Sequence, residues 1–162
     1  MGIKCVNTPQ ELEKMFVTIA DIVREEIIRT FQFLGEKCNA RIRDRSAKES
    51  WIDRTGNLRS SIGYAVFNHG KKELESAFKV VMDGKEGTET SKRYIMELAS
   101  EYAKVYALVV VAGMSYAEYV EAIESKDVLA STELWAKSKI DEHMQKTQER
   151  AEKRINKFLA AA

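Results

Sequence analysis

Few residues in this chain could do chemistry near neutral pH. There are two histidines, His69 and His143, and two cysteines, Cys5 and Cys38, in 162 residues. A histidine titrates close to neutrality and is the common proton carrier and nitrogen ligand, but neither has a second His, Cys or Asp at ligand spacing. His143 follows Asp141-Glu142, yet the second histidine of an H-E-x-x-H metal helix is missing. His69 falls in Asn68-His69-Gly70, which is turn composition. Gly84-Lys85-Glu86-Gly87-Thr88 has the residues of a phosphate loop without the order G-x-x-x-x-G-K-[ST]. Ser60-Ser61 lack the flanking glycines of a nucleophile elbow. The many carboxylates fall among Lys and Arg on helix faces, as solvated surfaces do. The expectation is a protein that is not an enzyme, with no catalytic, metal or cofactor-binding residues.

The cysteines fit the same picture. Neither lies in a C-x-x-C pair, and a helix rising 1.5 Å per residue would hold them tens of ångströms apart, so both are expected as free thiols in a reducing cytoplasm. Trp51 and Trp135 read as ordinary core or edge aromatics. Lys and Arg number 26 against 25 Asp and Glu, a formal net charge of +1, which gives no global attraction to nucleic acid or an anionic membrane. The start, Met1-Gly2-Ile3-Lys4-Cys5, lacks the apolar core of a signal peptide, and Val6 stands where myristoylation would want Ser or Thr. The longest apolar run, Val105 to Met114, is roughly half the length of a membrane helix. A soluble chain with one domain over 1–162 is expected.

The elements that would position any site are legible as periods. Thr8-Pro9-Gln10-Glu11 is a capping box with proline in the first turn, and Leu12, Phe16, Ile19, Val23, Ile27, Phe31 and Leu34 then step by three or four along one core-facing stripe, which Met15 and Ile22 widen while Arg24, Glu25, Glu26 and Arg29 take other faces. Gly35 is the expected stop, and residues 36–50 the expected charged connector. Gly63–Phe67 and Leu74–Val81, flanking Asn68-His69-Gly70-Lys71, predict a β-hairpin. Thr88 or Thr90 is the expected cap of a helix running to about Lys104, and the valine-rich Val105–Ala112 a buried strand. From about Ser131 a last helix carries the stripe Ala136, Ile140, Met144, Thr147, Ala151, Ile155 and Phe158. That stripe is small or polar in its middle, so Gln145–Arg154 is expected in solvent or against another subunit. The pattern predicts an α+β fold: a small, mostly antiparallel sheet packed by long N-terminal and C-terminal helices.

Two strings are more specific. Trp51-Ile52-Asp53-Arg54-Thr55-Gly56-Asn57-Leu58-Arg59-Ser60-Ser61-Ile62 is a charged turn feeding one helical turn, with Thr55 the expected cap, Gly56 allowing a tight entry, Leu58 and Ile62 facing the core, and Arg54 and Arg59 facing out. Tyr116-Ala117-Glu118-Tyr119-Val120-Glu121 follows the strand that ends at Gly113. Together they resemble the tailed-phage family of tail-completion or head-tail joining proteins typified by phage Hong Kong 97. That family carries D-x-T-G-x-L-R-x-S-I, a hairpin, a strand ending in glycine, then Y-A-x-Y-V-E. It usually continues with Gly and Thr or Ser and a Pro-Phe-Leu string, where this chain has Ala122-Ile123-Glu124-Ser125 and Val128-Leu129-Ala130.

The resemblance implies a non-catalytic structural protein of the virion neck, present in the host bacterial cytoplasm during assembly. It implies a homo-oligomeric ring, contacts with connector and tail-tube proteins, no cofactor, no membrane and no sequence-specific nucleic acid. Arg54, Thr55, Gly56, Leu58, Arg59 and Ile62 take its first motif, and Tyr116, Ala117, Tyr119, Val120 and Glu121 its second. Arg54 or Arg59 meeting Glu118, Glu121 or Glu124 of the next copy is an expected contact. The residues by themselves leave two alternatives open: a non-enzymatic helical module that binds a partner or nucleic acid, and an enzyme of unrecognised type.

Overall fold

In the computed structural model, residues 7–46, 48, 50–123 and 126–161 are described; Cys5 and Glu124 lie outside them. Thr8 N–H donates to Glu11 Oε2 at 2.7 Å and Glu11 N–H to Thr8 Oγ1 at 3.3 Å, the reciprocal capping box expected there. These bonds hold the Glu11 carboxyl below its ordinary pKa. The helix they start, α1 (Pro9–Arg43), does not stop at Gly35. A Cβ on Gly35 would stand 2.4 Å from the Tyr64 ring, so that glycine is a slot for an aromatic side chain inside a continuous helix. Tyr64 is buried and its hydroxyl donates to Glu36 Oε1 at 2.7 Å. Burial, with that bond and the Glu36 charge, raises its pKa. Much of the expected connector is therefore helix.

The remaining elements are α2 (Asn57–Ser60), β1 (Ile62–Asn68), β2 (Lys71–Glu75), α3 (Lys85–Leu98) with a 3-10 turn at Ala99–Tyr102, β3 (Tyr106–Ala112), α4 (Ala117–Ala122) and α5 (Ala130–Ala161). The fold is α+β, with an antiparallel sheet of order β2-β1-β3 and long helices at both ends of the chain. His69 and Gly70, at φ 50 and 80, make the two-residue hairpin turn. The second arm is earlier and shorter than the expected 74–81. Its ladder shifts register at Val66/Phe67 and ends where Ser76 Oγ accepts the Tyr64 N–H at 3.0 Å. Phe78 then folds onto the space beside Gly63. α3 starts after Gly84, ahead of the expected threonine caps.

The chain falls into two units, one of residues 31–141 and one of the two chain ends, 1–30 and 142–162. In the first, β1 is buried from Ile62 to Phe67, as a middle strand covered on both faces must be. One face carries Ala65, Phe67, Val109 and Val111 against Ile95; the other packs Val110 and Ala112 on a cluster of Ile42, Trp51, Leu58, Ile62, Ala117 and Val128. Cys38 is a buried free thiol, its pKa pushed up by burial.

In the second unit the two chain ends run antiparallel, and the expected stripe is rotated. The line along α1 that turns inward is Ile22, Glu26 and Thr30, while Phe16 is 69% and Val23 37% exposed. Polar pairing sets this rotation. Thr30 Oγ1 and Thr147 Oγ1 are 2.6 Å apart, Arg150 Nη2 donates to Thr30 Oγ1 at 2.7 Å, and Arg150 Nε donates to Glu26 Oε2 at 2.7 Å. Arg154 reaches both Glu26 at 3.0 Å and Glu25 at 2.7 Å. Thr147 and Ala151 are buried against α1, so the inner face of Gln145–Arg154 is covered within the chain, while Gln145, Lys146, Gln148, Glu149, Glu152 and Lys153 are exposed as expected. The small and polar residues that made this stripe look unsuited to burial are the ones buried.

Candidate subunit-contact site

The first string opens with an aromatic and a carboxylate that hold each other. Trp51 Nε1 donates to Asp53 Oδ1 at 3.0 Å, and Arg59 Nε donates to Asp53 Oδ2 at 2.5 Å. The Arg59 guanidinium lies 4.8 Å over the Trp51 ring and also donates to the Arg43 carbonyl. A planar fork satisfied by a carboxylate, a carbonyl and a ring face is a brace, and its side chain is only 14% exposed. This corrects the expectation that Arg59 faces out. Arg54 does face solvent, and no ion pair reaches it among the described residues.

The turn into α2 needs its glycine. Gly56 is the residue before the helix and sits at φ 78, ψ −4, the left-handed region, and a Cβ there would stand 2.0 Å from the Val81 carbonyl oxygen. Thr55 is one residue too early to be the cap; its hydroxyl accepts Asn57 N–H at 3.3 Å, a side-chain turn leading into the helix. Leu58 and Ile62 are buried as expected. Ser60 and Ser61 are fully buried: Ser60 Oγ accepts Val81 N–H at 2.8 Å and Ser61 Oγ donates to Leu58 O at 2.8 Å. A Cβ on Gly87 would stand 2.0 Å from Asn57 O, so the Gly84–Thr88 string is where α3 packs against α2.

The second string divides by face. Ala117 is buried and Val120 packs on the core cluster, whereas Tyr116 is 39% and Tyr119 72% exposed. Partial burial and the nearby Glu86 and Asp53 charges raise the Tyr116 pKa. Glu121 is a cap for the next element: its carboxylate accepts Leu129 N–H at 3.0 Å and Ala130 N–H at 2.7 Å at the start of α5. Asp127 adds to that start, accepting Ser131 N–H at 3.2 Å and pairing with Arg45 at 2.5 Å. Neither Arg59 nor Glu121 is thus free for a charge contact with another subunit, and Glu124 lies outside the described residues.

The structure brings the two strings together. Some sixty positions apart in the sequence, they line one groove of about 540 Å³, with Trp51 to Leu58 on one side and Tyr116, Tyr119, Val120 and Ile123 on the other. Its rim carries exposed Ile52, Tyr119 and Ile123 beside the Arg54 cation. Ile52 lies within the first string and Ile123 just after the second, but the sequence assigned neither a facing; an isolated apolar residue in a charged turn carries no period to mark it. Away from the groove, His69 is exposed and its Nδ1 is 2.7 Å from Asn68 Oδ1. Among the described residues no three His, Cys, Asp or Glu side chains gather as a metal site requires, and no helix is long and apolar enough to cross a membrane. Comparison of the chain with protein families, curated proteins and solved structures finds no match.

Proposed function

We propose that this chain is a structural protein of the neck of a tailed phage or prophage, forming a ring at the head-tail joint as a tail-completion protein. The observation that carries the reading is the shared groove. Two strings that resemble one family's motifs, and that have no local reason to be neighbours, form the two sides of one exposed apolar and cationic surface. Isolated exposed apolar residues are ordinary, but Ile52, Tyr119 and Ile123 around a concave site have the make-up of a protein contact, aromatic and aliphatic side chains with an arginine at the rim. Arg59, Gly56 and Glu121 hold that surface in shape from behind. A ring built head to tail needs two unlike patches on each subunit, and the groove is one of them.

Sedimentation of the purified chain at high concentration, alone and with the connector and tail-tube proteins of the same phage or prophage, tests this. Self-association that strengthens with a neck neighbour and weakens on Arg54→Glu or Tyr119→Ala is the expected result. A strictly monomeric species in every mixture refutes it, and a salt-sensitive complex with DNA in its place points to a nucleic-acid module.

A further inference from the structure

The sheet has two edges, and they are unlike. β1 is the middle strand, so β2 and β3 each leave one side unpaired. Along an antiparallel strand, successive residues turn their N–H and C=O alternately to one side and the other. His69 N–H donates to Val105 O at 3.0 Å, and the pairing continues unshifted from Asn68↔Tyr106 to Ile62↔Ala112. Ala107, Val109 and Val111 therefore face β1 with their backbone, while Tyr106, Leu108, Val110 and Ala112 turn theirs outward. No hydrogen bond is made by that outward row among the described residues. β3 has no proline, charge or bulge to blunt its edge.

The edge lies along a groove of about 630 Å³, distinct from the one above. Val109 to Gly113 all line it in succession, although alternate residues point to opposite faces of a sheet, so the groove follows the backbone edge itself. Leu98 and Tyr102 stand on one wall, Val128 and Leu129 on the other. Its charged lining is acidic throughout, Glu101, Glu118 and Glu121, and Glu121 is committed to the start of α5. Free backbone donors and acceptors between apolar walls with an acidic rim suit one extended strand carrying positive charge.

We propose that this groove receives β2 of a second copy of the chain, so that the sheet continues from subunit to subunit. β2 is the opposite edge of the same sheet; its residues are Lys-Lys-Glu-Leu-Glu, Lys72 is paired with Glu75, and the one exposed charge among them is Lys71. The Lys71 side chain is 75% exposed, its paired carboxylate Glu73 3.9 Å away. The exposed Lys71 at the head of the incoming strand complements Glu101 and Glu118, whereas pairing β3 with β3 would bring two acidic rims together. Contact between unlike edges is head to tail, the geometry that closes rings. The inference rests on the ring reading and adds a sheet-edge contact to the groove described above.

Residue-resolved amide hydrogen exchange on the full chain tests it. Dilute protein is compared with protein associated by concentration or by the connector protein. In the dilute state the amides of Val109 and Val111 are protected and those of Leu108 and Val110 exchange freely; on association the latter two slow by about tenfold or more. Lys71→Glu weakens association by about two- to fivefold, and adding Glu101→Lys and Glu118→Lys to the same chain restores it. Association that leaves Leu108 and Val110 unprotected overturns this contact and leaves the ring reading standing. Protection without self-association, once the connector protein is added, assigns the groove to another chain's strand and overturns the second-copy assignment. No association under either condition overturns the ring reading and this inference with it.

Discussion

Replacing Gly56 by alanine tests whether the turn into α2 is shaped by close approach as well as by dihedral preference. An L-residue at φ 78 costs roughly 1–2 kcal/mol. The new methyl would stand 2.0 Å from Val81 O and 2.8 Å from Val81 C, so that backbone must move. Val81 N–H donates to Ser60 Oγ at 2.8 Å and Val81 O accepts Gly84 N–H at 3.0 Å. Loosening one of these adds about 1 kcal/mol. The expected loss is about 2–3 kcal/mol, a fall in Tm of roughly 4–12 °C for a chain of this size. Gly70→Ala is the internal control. Its φ is 80, but its methyl would meet Ala99 O at 3.2 Å, which a small shift relieves, so the loss is about 1–2 kcal/mol of dihedral strain alone. Urea and thermal unfolding followed by circular dichroism measure both. Equal losses in the two variants, or a loss below about 1 kcal/mol at Gly56, refute the role assigned to Val81.

Glu26→Gln breaks the buried seam of the chain ends and costs about 2–3 kcal/mol by urea melting, less than a fully buried pair because Arg150 and Arg154 are partly solvated. The hydrogen bond from Arg150 lowers the folded Glu26 pKa; its stabilisation is present above the ordinary carboxylate range and is lost as pH falls through the lowered value, so the wild type loses more stability than Glu26→Gln in an acid titration. Glu121→Ala removes the acceptor at the start of α5 and lowers stability by about 1–2 kcal/mol, with exchange of the Leu129 and Ala130 amides speeding first. Arg59→Ala destabilises the isolated chain by about 2 kcal/mol, since it leaves Asp53 Oδ2 without its cation and only Trp51 on Oδ1, whereas Arg54→Ala leaves the melting curve within about 0.5 kcal/mol and acts on association alone.

Features written in local chemistry were the legible ones. The Thr8–Glu11 box, the hairpin turn at His69-Gly70 and the left-handed Gly56 each depend on a few neighbouring residues and are found where the sequence placed them. Gly35 misled because a glycine that ends a helix and one that makes room for Tyr64 look alike until the partner is known. The α1 stripe was right in period and, at Ile22 and Leu34, in burial, but rotated along the chain-end part: apolarity ranked Phe16 above Glu26, whereas Arg150 and Arg154 let the carboxylate be the buried one. For the site, the strings named Arg54, Tyr116 and Tyr119 among possible subunit contacts. They could not separate these from Arg59 and Glu121, whose partners Asp53 and the α5 start show them to be internal supports.

The seam of the chain ends also constrains how this sequence can drift. Glu26, Thr30, Thr147, Arg150 and Arg154 satisfy one another, so a single replacement strands a buried partner. An apolar pair in their place would fold as well, because a buried carboxylate held by two half-exposed arginines is worth little more than packed hydrocarbon. The two solutions are separated by unstable single-substitution intermediates. Homologous chains should therefore change position 26 together with 150 and 154, while Phe16 and Val23 on the same helix vary independently of α5.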